Sequence, residues 1–364
     1  MSRHMLKKAI APGNRIRVLI VDDSVVIRRL ISQALSEDDD IEVVGSVSNG
    51  ALALARIPQT NPDVVTLDVE MPEMDGLEML RRLERGGARP RVVMFSTLTE
   101  RGAIATLDAL ALGADDYVAK ASNVGSLDRS LSNLREELIP KIKQFFVLAS
   151  REERTANSVR PLALTLGEGS SRGTRARVFV VGVSTGGPTA LGTIVPQLPR
   201  DCRVPILIVQ HMPPLFTRLL AERLQAVTQL KVEEGADGIP VTPGKIVIAP
   251  GDYHMRLHNR DGGVFIRLDR TPAENSCRPA VDVLFRSAAE VYGPGVVGAI
   301  LTGMGQDGLR GVEVVRACGG YVIAQDEASS VVWGMPGAVV NAGLANSVLP
   351  LECIIPAVLG RIRI

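Results

Sequence analysis

Three residues of the types needed for nucleophilic catalysis each follow an aliphatic run in the C-terminal half of the chain: Ser184, His211 and Asp307. A serine hydroxyl is a weak nucleophile until a base takes its proton, and a histidine oriented by a carboxylate is the usual base. Loops at the carboxyl ends of neighbouring parallel strands meet at one edge of a sheet. We therefore predict that Ser184 is a nucleophile, that His211 is its base and that Asp307 orients the imidazole.

Each of these segments also has a plain structural interpretation. The string Gly182-x-Ser184-x-Gly186 matches the nucleophile-elbow pattern, but such strings also occur in structural turns and phosphate-binding loops. No G-K-[ST] follows it, which excludes a Walker loop. The alternative role for Asp307 is to cap the helix expected after Gly308. The chain order serine, histidine, acid differs from that of α/β-hydrolases, so a different sheet is expected.

The chain has four histidines, and their positions favour one of them as the base. His211 follows a strand, as Ser184 does. His4 lies in an N-terminal segment without a periodic pattern, while His254 and His258 lie on or near a probable hairpin. A lone histidine is more often a structural group than a catalytic one.

A second set of polar residues follows successive strands of the N-terminal half: Asp22, Asp23, Asp68, Ser96 and Lys120. Three converging carboxylates repel one another unless a cation lies among them, and such oxygen ligands suit Mg²⁺. A carboxylate, a metal ion and an ammonium group together suit phosphoryl transfer to the carboxylate of Asp68. The alternative is that these acids only cap helices. Their occurrence at successive strand ends favours the phosphoryl-transfer site, with Asp23 and Asp68 as metal ligands.

Alternating strands and helices place both sets in an α/β protein with two doubly wound parallel-sheet domains. The first is expected to be flavodoxin-like, and the second to be Rossmann-like with an inserted β-hairpin region. We predict a flexible arm over residues 1–14, a first domain over 15–146, a linker over 147–177 and a second domain over 178–364. The linker is rich in serine, glycine and arginine and has no apolar periodicity.

The aliphatic runs set the expected elements. In the first domain the strands are Ile16–Val21, Ile41–Ser46, Val64–Leu67, Arg91–Phe95 and Asp116–Val118, and the helices include Val25–Leu35, Gly76–Leu83 and Ala103–Leu112. In the second domain the strands are Val178–Val183, Val204–Val209, Val296–Leu301 and Tyr321–Ala324. The segment from Lys231 to Arg267 alternates short strands with turns and is interpreted as hairpins joined to the parallel sheet.

Composition limits the partners and the compartment. The 364 residues carry a formal net charge of +1, which does not indicate nucleic acid as a partner. No apolar run is long enough for membrane insertion, and no signal-peptide pattern opens the chain. The four cysteines form no C-x-x-C pair, which favours reduced thiols in the cytoplasm.

The segment from Val18 to Lys120 resembles the receiver domain of response regulators. The matching residues are Asp22-Asp23, Asp68 followed by Met71-Pro72-Glu73-Met74-Asp75-Gly76, then Ser96 and Lys120. The resemblance implies that a histidine kinase of the chemotaxis system phosphorylates Asp68. One residue departs from the pattern, because Ala121 stands where such receivers usually have proline.

The segment from Val178 to Leu359 resembles the chemotaxis protein-glutamate methylesterases. The resemblance rests on Gly182 to Gly187, Gln210-His211-Met212-Pro213, Ile248 to Asp252, Leu301 to Gly308 and Gly334-Met335-Pro336. It implies the triad Ser184, His211 and Asp307, with Thr185 beside the nucleophile and the Met304 amide near the oxyanion. It also implies hydrolysis of glutamate methyl esters on methyl-accepting chemotaxis receptors, deamidation of receptor glutamines, and no cofactor for the ester chemistry. His254 matches a family histidine to which we assign no role.

Three other functions are weighed against this interpretation. A DNA-binding response regulator would need a basic helix-turn-helix after the receiver, and the second half has no basic stripe. A docking module without catalysis would not need Ser184, His211 and Asp307 together. An esterase for small soluble esters stays open, because the sequence does not show the width of the cleft.

Overall fold

The structure is a computed structural model that describes residues 8–11, 13–83, 89–97, 99–120, 127–148 and 175–362. Most of the predicted linker and Ala121 lie outside these residues, as does His4. Within the described residues, every helix is too short or too polar to cross a lipid bilayer.

The first domain is built on a five-stranded parallel sheet. The strands of the whole domain, five of which form this sheet, are β1 Lys8–Ile10, β2 Ile16–Val21, β3 Ile41–Val47, β4 Val64–Asp68, β5 Arg91–Thr97, β6 Asp116–Lys120 and β7 Phe146–Leu148. Its helices are α1 Val25–Ser36, α2 Gly50–Thr60, α3 Gly76–Leu83, α4 Glu100–Ala111 and α5 Leu127–Lys143. The sheet order is β3-β2-β4-β5-β6, and β1 pairs separately with β7. Alternate residues of β2 pack into different apolar clusters, so both faces of the sheet are covered.

The second domain is built on a seven-stranded parallel sheet with the order β10-β11-β9-β8-β14-β15-β16. The strands of the whole domain, seven of which form this sheet, are β8 Val178–Val183, β9 Ile206–Gln210, β10 Lys231–Glu234, β11 Lys245–Ile248, β12 His254–Arg260, β13 Gly263–Asp269, β14 Val296–Ile300, β15 Tyr321–Gln325 and β16 Ser347–Leu349. The helices are α6 Gly187–Ile194, α7 Phe216–Gln225, α8 Val281–Tyr292, α9 Leu309–Ala317, α10 Met335–Asn341 and α11 Leu351–Ile362. The predicted class, α/β with two parallel-sheet domains, is confirmed.

Two predictions about the organisation of the chain are corrected. The strands β10 and β11 are not hairpins, because they pair in parallel with each other and β11 pairs in parallel with β9. Between residues 231 and 269, all of which the structure describes, only β12 and β13 form an antiparallel hairpin. Both strands have only four residues and lie between turns of the kind that also close hairpins, so the sequence pattern did not separate the two. The predicted flexible arm also differs in part, because Lys8–Ile10 pairs in parallel with Phe146–Leu148.

Local chemistry explains the shifted ends of two elements. Strand β9 begins at Ile206 rather than Val204, since Pro205 has no N–H for a ladder hydrogen bond. Helix α4 begins at Glu100 rather than Ala103, because the Thr99 side chain accepts a hydrogen bond from the Gly102 N–H and caps the helix.

The close packing of α8 on β8 generates a stability prediction. A Cβ atom at Gly182 would lie 2.3 Å from Val281 Cγ1. We expect Gly182→Ala to lower the free energy of unfolding by about 1–3 kcal/mol, because the buried helix and strand must move apart. The measurement is a urea unfolding curve. The matched control is Gly192→Ala in α6, where a Cβ meets nothing within 4 Å. That variant should be more stable by about 0.5–1 kcal/mol, and equal behaviour of the two variants would contradict the packing argument.

Candidate active site

Ser184 lies in the turn that joins β8 to α6. Its N–H donates to Thr302 O at 3.0 Å, so the turn is fixed to the loop that follows β14. The turn ends at Gly186, whose φ of 78° suits glycine and which starts the helix as its N-cap. The side chain of Ser184 is half-buried. The hydroxyl is therefore held at the carboxyl end of the central strand, beside the N-terminus of α6.

His211 and Asp307 form a hydrogen-bonded pair next to this turn. His211 Nε2 lies 2.8 Å from Asp307 Oδ2. The N–H of His211 donates to Val183 O at 3.2 Å, so the histidine follows β9 directly beside the end of β8. Within the described residues no hydrogen bond joins the Ser184 hydroxyl to His211. The other ring nitrogen, Nδ1, lies 3.6 Å from Cys277 Sγ.

The Asp307 carboxylate is surrounded by N–H donors. Val281 N donates to Oδ2 at 2.7 Å, and the N–H groups of Asp282 and Gly308 donate to Oδ1 at 3.1 and 3.0 Å. Burial raises the pKa of Asp307, but the hydrogen bond from His211 and these amides outweigh burial and hold the pKa below its ordinary value. The N-cap position of α9 is Gly308. Asp307 therefore accepts from the first turn of α8, which is not the capping role weighed from sequence.

Asp307 in turn raises the pKa of His211. Burial lowers the pKa of His211, but the hydrogen bond to Asp307 and the proximity of Cys277 raise it above the usual value. The imidazolium form is thus stabilised where it would appear after proton transfer from a nucleophile. The ring nitrogen not bonded to Asp307 is Nδ1, which in the structure is in hydrogen-bond contact with Cys277 Sγ.

The loop after β14 comes very close to the serine. A Cβ atom at Gly303 would lie 2.7 Å from Ser184 Cβ, so only glycine permits this approach. The next residue, Met304, has an exposed side chain. No hydrogen bond engages the Met304 N–H within the part of the chain that the structure describes. Donation by that amide to a developing oxyanion stays a prediction.

Thr185 occupies a different environment from the one expected beside a substrate. Its buried hydroxyl donates to Asp116 Oδ2 of the first domain at 3.0 Å and lies 3.2 Å from Gln144 Oε1. Gln144 Nε2 also donates to Asp116 Oδ2 at 2.9 Å. The residue next to the nucleophile is therefore covered by the first domain.

Sequence reasoning missed the segment before α8. Asn275 Nδ2 donates to Asp307 Oδ1 at 3.0 Å, and Cys277 Sγ lies against the His211 ring. Asp282 is a buried neighbour of Asp307, and burial raises the pKa of its carboxyl. The run of polar residues Asn275-Ser276-Cys277 between a hairpin and a helix was the available signal. His254, by contrast, is fully buried and bonded to backbone atoms of Pro272 and Ala280, which is a structural role.

The acidic residues of the first domain come together at the carboxyl edge of its sheet. Candidate ligand atoms of Asp22, Asp23 and Asp68 lie within 4.8 Å of one another. Lys120 Nζ lies 2.8 Å from Asp68 Oδ2 and 2.9 Å from Asp22 Oδ2. The Ser96 hydroxyl instead donates to Gly102 O at 3.0 Å, in the first turn of α4.

The electrostatics of this pocket favour a bound cation. Burial, together with repulsion from Asp22, raises the pKa of Asp68 to about 6 although Lys120 lowers it. Three carboxylates beside the single ammonium group of Lys120 leave an excess of negative charge in the pocket. Three carboxylates of this kind fit the oxygen ligands of Mg²⁺, so the residues present suit the ion.

Comparison with known proteins matches two family models to two separate parts of the chain. Residues 179–358 match the family model described as CheB methylesterase, and residues 18–132 match that of the response regulator receiver domain. A protein-glutamate methylesterase/protein-glutamine glutaminase of Trichodesmium erythraeum is 50% identical over 96% of this chain and 99% of its own length. One of the same name from Nocardioides sp. is 51% identical over 96% of both chains. The chain belongs to the CheB methylesterase family.

A solved structure agrees with the family assignment of the second domain. The crystal structure of the CheB methylesterase catalytic domain of Thermotoga maritima is 45% identical in sequence to the matching part of this chain, with a TM-score of 0.50. The match covers 51% of this chain and 99% of the Thermotoga maritima chain. The CheB methylesterase family model thus covers the part of the chain that contains Ser184, His211 and Asp307, and the receiver model covers the part that contains Asp68.

The charge excess around Asp68 generates a prediction about pH. The pKa of Asp68 is about 6 in the folded protein, above the ordinary value of 3.8, so the folded form holds its proton more tightly. Relative to Asp68→Asn, the wild type should lose stability as pH rises through this window, by about 3 kcal/mol at most above pH 6. Unfolding curves of both proteins at several pH values measure the difference. Millimolar Mg²⁺ should reduce it, and a difference independent of both pH and Mg²⁺ would contradict the cation site.

Proposed function

We propose that this chain is a phosphorylation-activated hydrolase that removes methyl groups from glutamate methyl esters of methyl-accepting chemotaxis receptors and deamidates receptor glutamines. The observation that carries the proposal is the bonded His211–Asp307 pair beside the Ser184 turn, in a domain of the CheB methylesterase family. Relatives that match nearly the whole chain bear the name of both activities.

The chemistry needs only groups of this chain and water. Ser184 Oγ attacks the ester carbonyl while His211 takes the hydroxyl proton, and the proton then goes to the departing methoxide to give methanol. Water, activated by the same imidazole, hydrolyses the acyl-serine and leaves the glutamate. With a glutamine side chain the same steps release ammonia. The Met304 N–H stabilises the tetrahedral oxyanion, and Asp307 stabilises the imidazolium.

The receiver supplies the control. In the proposal a histidine kinase of the chemotaxis system transfers its phosphoryl group to Asp68. Asp22, Asp23 and Asp68 hold Mg²⁺, which would offset the charge of the phosphoryl oxygens. Lys120 already lies between Asp22 and Asp68 and would have to move towards the new anion. Its movement changes the contacts of β6, the strand that also carries Asp116.

Phosphorylation then acts on a contact between the domains. Tyr117 stacks on Phe216 of α7 with ring centroids 5.0 Å apart, and Arg223 of α7 pairs with Asp108 of α4 at 2.7 Å. With the Thr185–Asp116 hydrogen bond, these contacts place the receiver against the nucleophile turn. Partly exposed ion pairs contribute little, so the closed form is favoured by only a few kcal/mol. A modest change in the receiver is therefore enough to open it.

We also propose the domain limits 15–146 and 178–364 and a cytoplasmic location. Support for the location comes from the four cysteines, none of which forms a disulfide in the structure. A docking protein without catalysis is the rival function, and it would keep its signalling role without the serine hydroxyl.

The proposed chemistry is tested at its three residues. Ser184→Ala and His211→Ala should each lower methanol release from methylated receptor membranes by about three orders of magnitude or more, with Asp307→Asn somewhat less affected, because the groups act as a unit. Ser347→Ala, on the distant edge strand β16, is the matched control and should keep the wild-type rate. Wild-type turnover by folded Ser184→Ala would refute the esterase mechanism.

The proposed control is tested by exchanging charges across the interface. Arg223→Asp places two carboxylates opposite each other and should raise the rate without phosphodonor by about two- to tenfold. The added change Asp108→Arg restores an ion pair of opposite polarity and should return the rate towards that of the wild type. A fragment starting at Val178 should also be active without phosphodonor. Equal basal rates for the wild type, Arg223→Asp and the fragment would exclude occlusion by the receiver.

A further inference from the structure

The segment between β13 and α8 contains a tight turn over residues 274–278. Glu274 N donates to Cys277 O at 3.1 Å, and Cys277 N donates to Glu274 O at 2.9 Å. The two central residues, Asn275 and Ser276, have φ values of 52° and 61°, which are left-handed and unusual for residues with a side chain. Such strain persists only where the surroundings hold the chain in place, and it concentrates at functional sites.

Contacts on both sides hold the 274–278 turn. Arg286 donates two hydrogen bonds to the carboxylate of Glu274, at 2.7 and 2.6 Å. Arg278 donates twice to Asp252 Oδ1, at 3.0 and 2.6 Å. The buried His254 ring lies 3.1 Å from Pro272 O and accepts from Ala280 N at 3.3 Å, so it joins the two ends of the segment. The turn is therefore a rigid part of the domain.

The turn directs one amide group at two buried carboxylates. Asn275 Nδ2 donates to Asp307 Oδ1 at 3.0 Å and to Asp282 Oδ2 at 2.9 Å. Both acids are almost fully buried. An amide NH₂ has two hydrogens and can serve both, whereas an amide oxygen there would repel both. Asn275 therefore separates two neighbouring acids that would otherwise face each other.

The same hydrogen bond limits how the Asp307 carboxylate can rotate. Oδ1 accepts from Asn275, Asp282 N and Gly308 N, and this leaves Oδ2 facing His211. Of these donors to Oδ1, only the amide of Asn275 comes from a side chain. The backbone donors belong to α8 and to the chain next to Asp307, so Asn275 is the one that a substitution removes without altering the backbone.

We propose that Asn275 is a positioning residue of the esterase, which acts through Asp307 by keeping this carboxylate turned towards His211 and separated from Asp282. The inference rests on the proposed function, because it gives the His211–Asp307 pair its catalytic role. Asn275 itself does not contact the nucleophile.

The decisive variant is Asn275→Asp, which keeps the shape of the side chain and replaces the two N–H donors by an oxygen. A third carboxylate would then face Asp282 and Asp307. We expect kcat for methanol release from receptor membranes to fall about 100-fold in the full-length protein at saturating phosphodonor, with KM unchanged within about twofold. Asn275→Ala, which only removes the donors, should lose about tenfold.

Controls separate this role from folding and from the proposed function. Asn259→Asp adds the same charge at an exposed site at the end of β12 and should keep the wild-type kcat. Wild-type kcat in Asn275→Asp, or a change in KM alone, would overturn the inference. If Asn275→Asp fails to fold, the kcat of Asn275→Ala decides the question in the same way. Ser184→Ala is assayed in parallel. If Ser184→Ala keeps its activity, the proposed function fails. If Ser184→Ala is inactive but Asn275→Asp is fully active, only the role of Asn275 is rejected.

Discussion

Parallel pairing of β8 with β9 on one side and with β14 on the other is the constraint on which the candidate active site depends. Three neighbouring parallel strands end at the same edge, so the loops after them must meet whatever their separation in sequence. Ser184, His211 and Asp307 follow these three strands. Their spacing along the chain differs from that of other serine hydrolases, because the order of strands in the sheet, and not the order in sequence, brings them together.

The burial of the central strands also explains which elements and site residues could be predicted from the sequence. Aliphatic runs identified the central strands almost residue by residue, because a strand buried on both faces has little choice of residue type. The strands β10 and β11 were misread as hairpins, since each has only four residues and lies between turns of the kind that also close hairpins. At the site, Ser184, His211 and Asp307 were predictable from strand ends. Asn275 and Cys277 were not, because they come from a turn whose position depends on side-chain contacts far away in sequence.

The receiver contacts the second domain near the edge of the sheet where Ser184 lies. Strand β6 carries Asp116 and Tyr117 at one end and Lys120 at the other, so one short strand contacts both the acidic pocket and the esterase. In the proposed control, a change in the position of Lys120 would be transmitted along the five residues of this strand. The contacts at the far end are the Thr185–Asp116 hydrogen bond and the stack of Tyr117 on Phe216, and the proposed control requires that phosphorylation weaken them.

The two domains handle buried carboxylates in opposite ways, and this difference corresponds to their proposed roles. Backbone amides at the start of α8 and the Asn275 side chain surround Asp307, which keeps it ionised without any external ion. Within the described residues, Asp68 accepts from one backbone donor, Val69 N, and lies beside Asp22, so its negative charge is only partly offset by Lys120. An acid that must remain charged through a reaction needs fixed donors, since water cannot reorganise around it. An acid that is to accept a phosphoryl group needs instead a site whose charge balance is completed from outside, and the pocket around Asp68 meets that requirement.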